Sequence, residues 1–319
     1  MRRSERKLQQ KKRKKKIWRR IFLTLLLLIM VGIGAIFFLF QDLASDMFQS
    51  IGDNSASTSK LKAGEPVSIL LIGVDEREND AGRADTLIYT TVNPITKRFT
   101  MTSIPRDTRV TIAQKGTEDK INHSYAFGGT EMTVNTVEQF LDLPVDYYVK
   151  INMEGFTKMI DALGGVTVYN DLEFKYHGFY YPEGEITLKG EEAQIYVRMR
   201  KQDPRGDFGR QKRQQDVIQA VIQKATSFSS VTKIKGMLDV IGTNVETNLS
   251  AGNMLTMATK YIGAKDHVES IQLEGNGQKI NGVYYWIPDA TNFQEVQQKL
   301  KNELNKNAVQ NSKNIQEET

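Results

Sequence analysis

Apolar residues fall along this chain in three rhythms, and each predicts a different kind of element. The first is an unbroken run. Ile21 to Phe40 is twenty residues without a charge, about 30 Å if helical, the thickness of a bilayer's hydrocarbon core. The second is the short burst of a buried strand, as in Val67–Val74 (VSILLIGV), Thr86–Val92, Phe99–Ile104 and Val145–Ile151, and later in Val268–Leu273 and Lys279–Ile287. The third is the i, i+3, i+4 spacing of a helix with one buried face. It runs through Glu131–Leu141, where Met132, Val134, Val137 and Leu141 point inward, and through Gly155–Leu163, which Gly164-Gly165 closes. Further helices are predicted over Lys189–Arg200, Gly209–Ser227, Ser230–Ile241, Ser250–Ile262 and Thr291–Leu304. Strands alternating with helices predict an α/β fold, a central mixed β-sheet sandwiched between helices, with one N-terminal transmembrane helix.

Charge orients that helix. Between Arg2 and Arg20 stand twelve basic residues and one acid, and basic residues stay on the cytoplasmic side of a membrane. The apolar run exceeds the ~7–15 residues of a cleavable signal core, so a retained anchor is expected. The predicted organisation is a cytoplasmic basic segment 1–20, a transmembrane helix 21–40, an extracellular stalk 41–66, a catalytic domain 67–304 and a polar tail 305–319. The expected location is the cell membrane, single-pass, with the N-terminus inside. The pI of about 9.1 therefore misleads: the chain's formal charge is +5, but the first twenty residues hold +11, so the rest carries −6. A mildly acidic outer domain removes the main support for a nucleic-acid partner.

The absence of cysteine excludes thiol nucleophiles, zinc ribbons and redox motifs, and leaves the outer domain to stand on its own core. His123, His177 and His267 are the only histidines, and none are spaced as a metal pair. What chemistry there is lies in three places. Asp75 follows the first strand and Asp85 opens the next, so neighbouring strands would set both carboxylates at one sheet edge. Oxygen ligands without nitrogen or sulfur suit Mg²⁺, with Mn²⁺ as the other fit; two acids capping turns look the same. Ser103-Ile104-Pro105-Arg106-Asp107-Thr108 leaves another strand, and Pro105 stiffens that exit. The third place is a dense block with Arg198, Arg200, Asp203, Arg205, Asp207, Arg210, Arg213 and Gln214. Arg210, Arg213 and Gln214 share one helical face, and guanidinium forks match phosphate oxygens. A solvated basic helix has the same composition. Arginines and a carboxylate-held divalent ion at strand ends read as a phosphoryl-group site. No GxxxxGK[ST] is present, and an activated phosphate outside a membrane points to a lipid-linked one.

LLIGVD, GRADT, SIPRDT, KINHSYAFGG, DALGGVTV and the VRMRKxDxxGDxGRxxRQQ block, in that order, resemble the LytR–CpsA–Psr family of Gram-positive bacteria over about Ser68–Ser227. The resemblance implies an α/β/α fold with an apolar tunnel for a polyprenyl chain. It implies a phosphotransferase that moves an anionic glycopolymer, wall teichoic acid above all, from a polyprenyl-pyrophosphate carrier to the C6 hydroxyl of peptidoglycan N-acetylmuramic acid. Asp75 and Asp85 match metal-proximal aspartates, one of them the candidate base. Arg83 and Arg106 match arginines lining the pyrophosphate, with Asp107 orienting Arg106 and Lys120 at the pocket. Arg198, Arg200, Arg210, Arg213 and Gln214 match head-group contacts. Val134, Val137, Phe140, Leu141, Phe156, Met159, Ile160 and Ile218 suit the tunnel, or an ordinary core. A glycan hydrolase using paired acids and a non-catalytic envelope regulator or wall-binding protein are the competing classes.

Overall fold

A computed structural model describes residues 47–76, 82–226 and 242–305. The predicted transmembrane helix, the basic segment, the helix expected over Ser230–Ile241 and nearly all of the polar tail lie outside these. Among the described residues no helix is long and apolar enough to cross a membrane.

The core is a six-stranded mixed sheet. Its strands are β1 (Val67–Val74), β2 (Ala84–Asn93), β3 (Arg98–Ile104), β6 (Tyr147–Asn152), β11 (Val245–Thr247) and β12 (Val268–Ser270), in the order β11-β6-β1-β2-β3-β12. β1 runs antiparallel to β2 and parallel to β6. Alternation explains the two faces. Leu70, Ile72, Leu87 and Tyr89 pack on one side with Val134, Val137 and Leu141 of helix α2 (His123–Leu141) and with Val296 and Leu300 of the last helix (Ala290–Glu303). Ile69, Ile88, Val92 and Met101 pack on the other with Leu61, Ile218, Ile222, Met254 and Met257. Helices therefore cover both faces, as the alternating pattern predicts.

Several boundaries differ. Ser55–Ala63, inside the stretch read as a stalk, is helix α1. Its fully buried Leu61 joins the sheet's second core, and Lys60 Nζ sits 2.9 Å from the buried Asp146 carboxylate. Its polar composition conceals this, because a single leucine and the polar contacts of Ser57, Thr58 and Lys60 hold it. Helix α2 begins eight residues earlier than its apolar spacing suggests, across a break at Gly128-Gly129, where Gly129 has φ 64°. The strand expected over Lys279–Ile287 is a hairpin, β13 (Gly275–Ile280) and β14 (Val283–Pro288), turned at Asn281-Gly282 with φ 51° and 83°. Asn-Gly is the strongest short hairpin signal in any sequence, and it divides the apolar run into two strands.

The stretch 153–226 builds a second core. Helix α3 (Met153–Ala162), hairpins β7/β10 (Val166–Asn170, Gly184–Leu188) and β8/β9 (Phe174–Tyr176, Phe179–Tyr181), helix α4 (Gly190–Tyr196) and the first half of α5 (Asp207–Thr226) enclose Ile160, Phe174, Tyr181, Tyr196 and Val217. The eight tunnel candidates divide among three packed clusters. Val134, Val137, Phe140 and Leu141 belong to the first core, Phe156, Met159 and Ile160 to this one, and Ile218 to the sheet's other face.

Candidate active site

The sheet end between β1 and β2 places the first acids. Val74 pairs with Ala84 and Gly73 with Thr86, so Asp85 is the extra residue of a β-bulge. A bulge re-aims its side chain, and Asp85 Oδ1 meets Arg106 Nη1 at 3.1 Å. Asp75 follows β1, and its N–H donates to the Arg83 carbonyl at 3.2 Å. The two aspartates thus share one edge, as expected. Arg83 beside them is exposed and makes no ion pair among the described residues.

Arg106 and Asp107 are the central pair of a turn in which Thr108 N–H donates to the Pro105 carbonyl at 3.0 Å. Two other elements clamp this turn from outside: Asn122 N–H donates to the Arg106 carbonyl (3.2 Å) and Trp286 N–H to the Asp107 carbonyl (2.8 Å). Lys120, at the end of the small hairpin β4/β5 (Arg109–Thr111, Glu118–Lys120), reaches Asp107 Oδ1 at 2.7 Å. Asp107 is thereby held by Lys120 more closely than by Arg106, whose Nε is 3.8 Å away.

The late block splits. Arg210 lies buried in the first turn of α5, with Nη2 2.7 Å from Asp207 Oδ1. That contact is poorly aligned for a hydrogen bond, and the buried Nε of Arg210 has no protein partner. Burial lowers the pKa of Arg210; Asp207 counters it, and Arg106 and Arg200 add to the lowering. A guanidinium does not deprotonate in a protein, so this is a cation short of anions. Arg200 adds a weak contact to Asp207 (3.7 Å) and is half-exposed. Arg106, Arg200 and Arg210, with Asp85 and Asp207, therefore share one field.

Arg213 does not join them. It is 1% exposed; Nη1 donates to Asp203 Oδ2 at 2.6 Å and Nη2 to the Met199 carbonyl at 2.5 Å, with the rings of Phe174 and Tyr196 within 6 Å. The same Asp203 binds Arg205, which also grips Asp171 with both Nη atoms. Burial alone would raise the pKa of Asp203, but hydrogen bonds from Arg205 and Arg213 hold it far below the ordinary range. Gly209 is obligatory here, because a Cβ would lie 1.9 Å from Asp203 Oδ2. Arg213, expected at the head group, is placed in the second core, where a buried carboxylate four residues before the helix begins holds it. Gln214 lies nearer the edge, its Nε2 donating to Thr86 Oγ1 at 3.1 Å, beside Asp85. Arg198 is exposed, and no contact ties it to the cluster.

A cleft of about 230 Å³ adjoins the cluster, lined by Pro105, Asp107, Arg200, Asp207 and Gln211 on one side and by Gly275, Gly277, Tyr284 and Trp286 of the β13/β14 hairpin on the other. Nothing in the composition of that hairpin had marked it as part of a site; its signal was the aromatic run Tyr284-Tyr285-Trp286.

The model of the LytR_cpsA_psr family matches residues 35–302. The chain belongs to that family. It is 48% identical over 303 residues, covering 93% of this chain and 99% of the relative, to the polyisoprenyl-teichoic acid–peptidoglycan teichoic acid transferase TagU of Bacillus subtilis. The crystal structure of B. subtilis TagU aligns with a TM-score of 0.64 at 51% identity, over 76% of this chain and 98% of that one. A structure of TagT bound to LI-WTA aligns with a TM-score of 0.65 at 34% identity, over 80% and 94%.

Proposed function

We propose that this chain is a phosphotransferase that moves wall teichoic acid from a polyprenyl-pyrophosphate carrier to peptidoglycan. One observation carries the reading: Arg106, Arg200 and Arg210 are collected, incompletely neutralised, beside an edge bearing Asp75 and Asp85. Named relatives with this activity match nearly end to end.

The chemistry is a displacement at the phosphorus nearest the sugar. The C6 hydroxyl oxygen of N-acetylmuramic acid forms the new O–P bond, the bond to the bridging oxygen breaks, and its electron pair leaves on polyprenyl phosphate. Arg106 and Arg210 face the charge that grows on the phosphoryl oxygens. The hydroxyl proton passes to Asp75 or Asp85. Among the described residues no group of three or more His, Cys, Asp or Glu could hold a metal. Two aspartates at one edge still fit Mg²⁺, which takes one or two protein carboxylates and completes its shell with phosphate and water. Mg²⁺ held there would neutralise phosphoryl charge. The uncharged run 21–40 would anchor the enzyme in the cell membrane with this domain outside, within reach of both substrates.

The test uses the full-length protein with a lipid-linked teichoic acid precursor, Mg²⁺ and an uncross-linked peptidoglycan glycan. A phosphodiester-linked product is expected, and Asp75→Ala should lose its metal response. Released reducing ends without linkage would establish a hydrolase, and no product of either kind a non-catalytic role.

A further inference from the structure

The β13/β14 hairpin is built as a flat aromatic shelf. Gly277 faces Trp286 and Lys279 faces Tyr284 across the ribbon, so Gly275, Gly277, Tyr284 and Trp286 share one face. Each ring leans diagonally over a glycine: a Cβ on Gly275 would lie 2.5 Å from Trp286 Cζ2, and one on Gly277 2.5 Å from Tyr284 Cε2. Any side chain at either glycine would lift its ring off the ribbon. Covering glycines with aromatics also stabilises a strand pair, which accounts for Trp286, 7% exposed. It does not account for Tyr284, which stays 41% exposed while lining the cleft.

The far wall of that cleft carries Asp107, the neighbour of Arg106, and Arg200, and so adjoins the reactive edge. Asp107 belongs to both, its carbonyl bound by Trp286 N–H and its carboxylate by Lys120, whose Nζ lies 5.9 Å from the centre of the Tyr284 ring. Asn276, Gln211 and Arg200 add hydrogen-bonding groups around the shelf. A flat π-face bordered by amide and guanidinium donors is complementary to a pyranose ring, which offers apolar C–H groups on its face and hydroxyl, amide and carboxylate groups at its edge.

We propose that this cleft is the subsite for the acceptor glycan, with an amino sugar of the peptidoglycan strand stacked on Tyr284 and its edge bound by Arg200, Gln211 and Asn276. This deepens the transferase reading and rests on it. Arg200 suits the acceptor, because the lactyl amide carbonyl of a muramic acid unit and the carboxylates of its stem peptide accept from a half-exposed guanidinium. Tyr284 is a binding residue in this scheme and touches none of the reacting atoms.

The experiment titrates an N-acetylglucosamine–N-acetylmuramic acid tetrasaccharide against the full-length protein with Mg²⁺ and saturating lipid-linked donor. Tyr284→Ala should raise the acceptor KM roughly tenfold, with kcat and the donor KM within about twofold; Tyr284→Phe, which keeps the ring, should behave as wild type. An unchanged acceptor KM, or a rise in the donor KM instead, overturns the proposal. A second readout needs no turnover. The chain has two tryptophans, Trp18 and Trp286, so in a Trp18→Phe background the indole beside the cleft reports alone. The tetrasaccharide without donor should shift its emission saturably, and no shift overturns the proposal. A shift in a protein that transfers nothing would keep the cleft and sink the transferase reading.

Discussion

The arginine-rich block sends its side chains to two destinations only one helical turn apart. Arg210 goes to the sheet edge, where its close contact with Asp207 Oδ1 makes no aligned hydrogen bond. Arg213 goes into the second core, where Asp203 and the Met199 carbonyl take both of its Nη groups beneath two aromatic rings. Both arginines are buried, and both lie on one face of one helix. What separates them is the counter-ion. A guanidinium with a built-in, well-aligned carboxylate is architecture; a guanidinium with a poorly aligned one is a place for an arriving anion. Helical spacing shows that residues share a face, but only the partner shows what the face is for.

The sharpest way to break that comparison is to remove the structural arginine. Arg213→Ala takes the buried partner from the Asp203 carboxylate, whose side chain is 0% exposed, and leaves it only Arg205; breaking one partner of a buried pair costs up to about 3–5 kcal/mol. Denaturant unfolding should show that loss, with transfer by the remaining folded protein near normal. A variant of wild-type stability with abolished transfer would return Arg213 to the head-group site. The pair also leaves a pH signature. The carboxyl of Asp203 titrates below its ordinary 3.8 in the folded protein, so its contribution is complete above that value and fades as the pH falls through the depressed one. The stability gap between wild type and Asp203→Asn should therefore narrow below about pH 4; a gap constant down to pH 2 refutes the assignment.

Arg106 should give the mirror image. Its pair with Asp85 is about one-third exposed on each side, worth no more than about 1 kcal/mol of stability. As a donor to transition-state charge it is worth roughly 10²-fold in rate. Arg106→Ala should lose that factor in transfer while its unfolding midpoint barely moves. Undiminished transfer by the purified variant would remove Arg106 from the chemistry.

Those two mutants also mark what was legible beforehand. The sheet was readable because its strands are continuous apolar runs, and the Asp75–Asp85 edge because both acids stand at strand ends. The partition of Arg210 and Arg213 was not, because it depends on Asp203, a loop acid whose position relative to α5 no periodicity encodes. The hairpin's place in the site was hidden for a different reason. Trp286 reaches Asp107 through a main-chain hydrogen bond, and main-chain contacts leave no mark on residue type. Arg198 parts from its neighbours because the helix predicted to Arg200 stops at Tyr196, which frees the next residues to alternate between Met199 inside and Arg200 at the cleft.

The finest version of the comparison uses two adjacent glutamines. Gln215 Nε2 donates to the Ser103 hydroxyl at 2.9 Å within buried surroundings, whereas Gln214 Nε2 donates at 3.1 Å to Thr86. Thr86 follows the bulged Asp85 and packs against Gly73, where a Cβ would already lie 3.0 Å away. Gln214 is thus a brace for the edge that carries the metal-proximal acids, and one such bond is worth about 1 kcal/mol. Gln215→Ala should cost about that in stability and nothing in rate. Gln214→Ala should leave stability nearly intact and raise the Mg²⁺ concentration for half-maximal transfer by about threefold to fivefold, with the donor KM unmoved. If the donor KM rises and the Mg²⁺ requirement stays put, Gln214 touches the pyrophosphate itself, and the brace through Thr86 is only how the amide rests between turnovers.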